Sequence, residues 1–353
     1  MFFIEKNNTF VITLKHVDMG GNALKNTFTE RKTTELFNLI AKDVLYGINT
    51  VLYYESHIIK CYHTKETHGD MDVLIKIPPN NDNQNIINFI KNHYKPNEMI
   101  KNGNVISFDY QQFQIDFILI NEINWSIAKH YFDYDCCGNV MGKTFHKFGL
   151  SYGWEGLFYK FRNFHGSNSQ DILLTNDVRK IFDFGGYDYN RYIKGFETLE
   201  EIFNFCIDSK YFDTEMFQME NLKSIDRKRN RKRGSYHLFL NYLKDNVIKT
   251  KYQFEADKDI YLPKIAEYFI EAALMEELEA LKEVDRKNKI ISQKFNGDMV
   301  MQWLPNLQGK ELGAAMGKFK SAVGDEFEEF ILQSDYETIH NYFMKVYNDR
   351  TDS

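Results

Sequence analysis

Cysteine is scarce in this chain, and its placement excludes most of what cysteine can do. There are four cysteines in 353 residues: Cys61, Cys136, Cys137 and Cys206. Only Cys136 and Cys137 lie close together, and being adjacent they do not give the Cys-x-x-Cys spacing of a zinc site. No disulfide framework is suggested either. No apolar run reaches the roughly 18 residues of a membrane span, and the N-terminal residues do not read as a signal peptide. A soluble protein of a reducing, cytoplasmic compartment, without a membrane partner, is therefore expected. Bulk positive charge is also lacking. The 44 Lys and Arg against 50 Asp and Glu leave a net charge of −6, so any contact with a polyanion must come from a local patch. The histidines lack metal-ligand spacing outside the motif described below, and no Ser-His-Asp or Cys-His grouping can be argued. No internal repeat is visible. Gly149-x-x-x-Gly153-x-x-Gly156 is dense in glycine, but it does not open a helix after a strand and is no dinucleotide fingerprint.

What is present begins with aromatics. The 30 Phe and 22 Tyr, within 43% hydrophobic residues, support sizeable cores, and the length allows two or three domains. Strands are expected at 10–14, 50–54, 70–77, 105–108 and 114–120. Helices are expected at 29–45 and 85–93. Pro78-Pro79 should stop the third strand. This order suits a small mixed sheet with helices on one face. From Trp125 onward the pattern turns helical, with helices at 138–147, 177–182, 198–208, 235–247 and 262–284.

The densest chemistry lies in His68-Gly69-Asp70-Met71-Asp72-Val73-Leu74-Ile75. In a strand alternate side chains point the same way, so Asp70 and Asp72 project from one face while the apolar triplet anchors the strand. A second strand, Gln114 to Ile120, carries one acid, Asp116, in an apolar setting where a buried carboxylate would need a partner. Three carboxylates on adjacent strands make an oxygen-rich site for a hard cation such as Mg²⁺ or Mn²⁺. Two such ions can clamp the attacking and leaving oxygens of a phosphoryl or nucleotidyl transfer.

This constellation resembles the DNA polymerase β-type nucleotidyltransferase superfamily. That family carries a glycine turn after a first strand, an Asp-x-Asp pair on the next and a third acid on a later one. Asp70 and Asp72 match the pair, and Asp116 the third acid. The resemblance implies an α+β fold, with a nucleotidyltransferase palm over 1–125, a helical middle region over 126–225 and an all-α region over 226–353. It implies Asp70, Asp72 and Asp116 as metal-binding, catalytic residues and an NTP as substrate. Two turns compete for the triphosphate. Gly20-Gly21 has the family's sequence but lies about fifty residues before Asp70, where ten to twenty are usual. Ser56 has the better topology, but Glu55 stands where a glycine is expected. Lys65, His68 and Gly69, on the approach to the aspartate strand, are candidates to neutralise or contact the triphosphate.

Gly149-Leu150-Ser151-Tyr152-Gly153-Trp154-Glu155-Gly156-Leu157 is similar to segments of uncharacterised viral and phage nucleotidyltransferase-like proteins, which extends the resemblance over about the first 215 residues. A viral chain would work in the host's cytoplasm. Tyr152, Trp154 and Tyr159 there suit either base stacking or a packed interdomain turn. Arg227-Lys228-Arg229-Asn230-Arg231-Lys232-Arg233 holds six cations in seven residues. It is the clearest polyanion footprint, set against a solvated linker or a nuclear address. Phe295 to Met301, with the turn at Gly309, weakly resembles a helical tail segment of CCA-adding enzymes and bacterial poly(A) polymerases. The expected reaction is template-independent transfer of a nucleoside monophosphate from an NTP to an RNA 3′ hydroxyl. Two alternatives stand beside it. One is a metal-dependent glycosyltransferase, which needs no third acid. The other is an inactive nucleic-acid-binding protein with a degenerate palm.

Overall fold

The computed structural model describes residues 21–79, 83–164, 166 and 168–349. Gly20 and the strand expected at 10–14 lie outside them. The described chain is mixed α and β. It divides into two compact units, one holding residues up to Tyr159 together with Leu173–Phe269, the other holding Lys160–Ile172 and everything from Ile270. The boundaries expected at 125/126 and 225/226 both fall inside the first unit.

The first unit is organised by a five-stranded sheet. Its strands are β2 (Ser56–Ile58), β4 (Asp70–Ile77), β7 (Phe113–Asn121), β6 (Val105–Tyr110) and β5 (Met99–Asn102), in that spatial order. β4 and β7 run parallel, and the other pairs are antiparallel. A two-stranded ribbon of β1 (Lys32–Thr33) and β3 (Thr67–His68) precedes β4. One face of the sheet is apolar along its three central strands. Met71, Val73, Ile75, Ile106, Phe108, Ile115, Phe117 and Leu119 pack under Ile40, Val44 and Ile48, from α1 (Thr34–Gly47) and the turn after it, and under Ile86 and Phe89 of α2 (Gln84–Phe89). Thr33 caps α1 by accepting from the Leu36 N–H. The other face is split along the strands. Leu74, Ile118 and Ile120 are covered by Trp125 and Ala128 of α3 (Trp125–Phe132). The half of that face nearer the start of β4 and β7 has no such cover.

Three expectations change here. Residues 50–54 are not a strand: Ile48–Leu52 form a π-helical turn that continues α1, because Ile48 is needed in the core, and Tyr53 at φ 56° ends it. The first helix begins at Thr34, not Thr29. The expected helix 262–284 is two helices, α10 (Leu262–Tyr268) and α11 (Leu274–Lys294), separated where Ala273 adopts φ 46°.

Beyond α3 come α4 (Cys137–Lys147), β8 (Leu150–Gly153) and β9 (Gly156–Arg162), then β10 (Asn168–Thr175). β8 pairs antiparallel with β9, so the glycine-dense segment around Gly153 is a β-hairpin within a region whose pattern reads as helical. Five further helices follow: α5 (Val178–Gly185), capped by Asp177, α6 (Tyr189–Lys194), α7 (Leu199–Ile207), capped by Thr198, α8 (Ser224–Asn230) and α9 (Gly234–Asp245). Their cores are aromatic, with Phe182, Phe205, Phe212, Phe217 and Phe239 fully buried.

The second unit is built on α11, with α12 (Gly297–Trp303), α13 (Gly309–Val323), α14 (Phe327–Gln333) and α15 (Tyr336–Asn348). Phe295, Phe319, Ile331, Ile339 and Phe343 form its centre. Asn296 caps α12 by accepting from the Met299 N–H. Among the described residues no helix is long and apolar enough to cross a membrane.

Candidate active site

The register of the two central strands brings the acids together. Asp72 is the direct partner of Asp116, and Asp70 is opposite Gln114. Since β4 and β7 are parallel, Asp70, Asp72, Gln114 and Asp116 share the face that α3 leaves uncovered, while Met71, Val73, Ile115 and Phe117 hold the opposite face in the core. All three acids are half-buried. Ser107 on β6 is the register partner of Asp116 and donates to its carboxylate. Gln114 donates to both oxygens of Asp116 at 3.1 Å. Its own carbonyl oxygen accepts from the Ala23 and Leu24 N–H groups at 2.9 and 3.4 Å.

The electrostatics follow from that crowding. Burial pushes the Asp72 carboxyl well above the usual range, and the charges of Asp70 and Asp116 push it further. Burial raises Asp116 to about 6, against the hydrogen bonds from Ser107 and Gln114. Asp70 is raised by burial despite a hydrogen bond from Gly21. The cations that act on the trio are Lys65, which lowers both Asp70 and Asp72, and Arg31, which lowers Asp70. Such a set of desolvated, mutually repelling carboxylates is the donor chemistry that a hard divalent cation takes. Among the described residues no three His, Cys, Asp or Glu side chains converge as a ready cage, so the fit is one of donor type and face rather than of preset coordination.

Gly21 lies at the site. Its N–H donates to Asp70 Oδ2 at 2.8 Å, its φ is +79°, and a Cβ there would stand 2.5 Å from the Gly69 carbonyl oxygen. The segment that follows is pinned by Glu98, which accepts from the Lys25, Asn26 and Thr27 N–H groups at 2.8 to 3.2 Å. The sequence separation of fifty residues is thus spanned by a segment folded back onto the sheet. Ser56 is elsewhere: it pairs with Ile75, five residues along β4 from Asp70, about 16 Å at the rise of a strand. Glu55 is engaged by the Trp125 indole N–H at 2.6 Å and by Lys76 at 3.4 Å. His68 is buried at 4% exposure and stacks on Phe37 with ring centroids 3.9 Å apart. Burial, Lys65 and Arg31 hold its imidazole down to about 4, so it is neutral and gives no charge to a phosphate.

Two further residues with a part here lie outside the motifs described so far. Arg31 is tied to Thr67 by its guanidinium, which donates to the Thr67 carbonyl at 3.0 Å. Asp135 is exposed and adds its charge to those pressing on Asp70 and Asp72. The signal for it is a second Asp-x-Asp, Asp133-Tyr134-Asp135. Asp133 itself is a buried brace that accepts from the Lys60 N–H at 2.9 Å and meets His57 at 2.8 Å.

The basic run is ordered structure. Residues 224–230 form α8, and α9 begins at Gly234. Arg227 is used locally, donating to the Leu222 carbonyl at 2.9 Å. No protein-family model matches the chain, and no curated protein matches it.

Proposed function

We propose that the chain is a metal-dependent nucleotidyltransferase that moves a nucleoside monophosphate from an NTP to a hydroxyl, with an RNA 3′ end as the preferred acceptor and no template. The observation that carries this reading is the pairing of Asp72 with Asp116 across parallel strands, with Asp70 on the same open face. Asp70 and Asp72 would hold both cations, and Asp116 would complete the site on the acceptor side. A divalent cation bound there would stabilise charge on the transferred phosphoryl group and lower the pKa of the attacking hydroxyl. The chain's own part is positioning and proton transfer. Asp116, raised to about 6, lies where a general base works well near neutral pH. Gln114 fixes its orientation. Gly21, without a side chain, lets backbone approach the site closely, and Lys65 and Arg31 supply positive charge toward a triphosphate.

The test is incubation of the protein with each labelled NTP, Mg²⁺ or Mn²⁺ and total RNA. Labelled RNA that disappears in Asp70→Ala and Asp72→Ala variants supports the reading. Activity that survives Asp116→Asn favours a nucleotide-sugar glycosyltransferase. Absence of any transfer, with RNA binding intact, favours an inactive palm.

A further inference from the structure

The cations of the basic run do not form one even stripe. Arg229 and Arg233 line a cleft of about 200 Å³, walled by α4 and β8 and closed by α8. Lys143, His146, Asn139 and Tyr152 face it from α4 and β8. A neighbouring cleft of about 390 Å³ shares Tyr131, Asn139 and Arg233 with it and reaches Asn22, the residue after Gly21.

The polar atoms in the first cleft are unusual. Asn230 is 1% exposed, yet both its carboxamide oxygen and its nitrogen lack a hydrogen-bond partner. The Tyr152 hydroxyl and the Asn139 amide nitrogen are buried and unpartnered too. Leaving such groups unpaired is costly, and three residues around one cleft share the condition. The charge is positive. Asp226 is the lining carboxylate, and Lys143 neutralises it at 3.0 Å. Arg229 and Arg233 have no ion-pair partner among the described residues. Burial, with Lys258 and Lys223, drives His146 down to about 4, as expected beside a concentration of cations.

We infer that this cleft binds one phosphorylated nucleoside, its phosphate on Arg229 and Arg233 and its base against Asn230, Asn139 and Tyr152. A phosphate alone leaves the chemistry incomplete. It accepts hydrogen bonds, but the Asn230 carboxamide oxygen requires a donor, which a base amino or imino group supplies. The half-buried Tyr131 ring, common to both clefts, offers a stacking surface. The site is one of binding and does not depend on transfer at the aspartates.

Calorimetry of the full chain in EDTA, which keeps the carboxylate site out of play, tests this. The probes are the four nucleoside 5′-monophosphates, ribose 5-phosphate, inorganic phosphate and a pentanucleotide. At least one monophosphate should bind tenfold or more tighter than inorganic phosphate or ribose 5-phosphate. Arg233→Gln, on the surface, should weaken it at least tenfold. Tyr152→Phe, which removes only the unpartnered hydroxyl, should weaken the mononucleotide severalfold and leave inorganic phosphate unchanged. A pentanucleotide that competes identifies the ligand as part of a strand, and one that does not identifies it as a free nucleotide; both outcomes support the site. No monophosphate binding, equal affinity for ribose 5-phosphate, or indifference to Arg233→Gln would overturn it.

Discussion

Asp72 and Asp116 are direct register partners on two parallel strands, each anchored by apolar neighbours on the opposite face. The backbone therefore holds two carboxylates side by side whatever they bind, and in the absence of a cation the fold bears their repulsion. Removing one charge should relieve it. Asp116→Asn keeps the shape and its partners on β6 and β7, so the metal-free variant should melt a few degrees above the parent at pH 7. That corresponds to about 1–2 kcal/mol once the solvent-facing side of the acid is discounted. Mg²⁺ should raise the melting temperature of the parent more than that of the variant, which keeps Asp70 and Asp72 but lacks the third carboxylate. Equal Mg²⁺ stabilisation of both would remove Asp116 from the cation site.

The same acid sets a pH dependence with a definite sign. Its folded-state value of about 6 lies above its ordinary 3.8. Between these values the folded chain holds a proton that the unfolded chain has released. The group therefore weakens the fold as pH rises from about 4 to about 6, and the penalty is constant above. The difference in melting temperature between Asp116→Asn and parent should open over that window and then level off. A difference that is flat from pH 4 to 7 would show that Asp116 titrates normally.

Gly21 donates its N–H to the Asp70 carboxylate and lies close against the Gly69 carbonyl. A Cβ there faces both a φ of +79° and the carbonyl oxygen 2.5 Å away. Gly21→Ala should displace the segment and withdraw the N–H from Asp70. A stability loss of about 1–2 kcal/mol is expected. The larger effect should be on NTP handling, with transfer falling tenfold or more while RNA affinity is kept. Unchanged transfer kinetics would make the turn structural only.

Much of this site was legible because strand periodicity is a local property. Asp70, Asp72 and Asp116 sit in short runs whose alternation fixes their face, and the Pro78-Pro79 stop fixes where β4 ends. Which glycine turn meets them was not legible, since that depends on a fold-back held by Glu98 and Gln114, residues with no motif of their own. Helix ends with strong caps, at Thr198 and Asp177, were also readable. The strands expected at 105–108 and 114–120 leave the type of the turn between them unread: Gln111 and Gln112 take φ 51° and 58°, a conformation usually signalled by Asn-Gly. Residues 50–54 look like a strand because Val51, Leu52, Tyr53 and Tyr54 have β propensity, yet the tertiary demand for Ile48 in the core keeps that stretch wound. The hairpin of β8 and β9 was obscured by its glycines, which sit at its turn, at Gly153 and Gly156, and break the alternation that marks a strand.

His68 separates a structural role from the one its position suggests. It is neutral, buried and stacked on Phe37. A value lowered to about 4 from 6.5 means that the unfolded chain binds the proton first. Stability should fall as pH drops from about 6.5 toward 4. His68→Phe retains the stack and has nothing to protonate, so its melting temperature relative to the parent should rise over that interval. Transfer should persist in the variant at pH 7. A pH-independent difference, or loss of transfer with the fold intact, would return His68 to the phosphate site.

The remaining cations of the basic run bear on strand binding. Lys228 and Arg231 are exposed and line neither cleft, whereas Arg229, Lys232 and Arg233 do. If a single strand passes along this surface, Lys228→Ala with Arg231→Ala should lower RNA affinity. The slope of log affinity against log salt should flatten by about 0.7 for each phosphate no longer neutralised, about 1.4 for the pair. Mononucleotide affinity should stay as in the parent, because no group of the cleft has changed. The apparent affinity for the RNA acceptor should weaken while that for NTP holds, since the carboxylates on β4 and β7 are untouched. An unchanged salt slope would mean that these two side chains meet only solvent. The acceptor would then have to be held by the cleft residues alone, which suits a short strand end or a single nucleotide better than a long RNA.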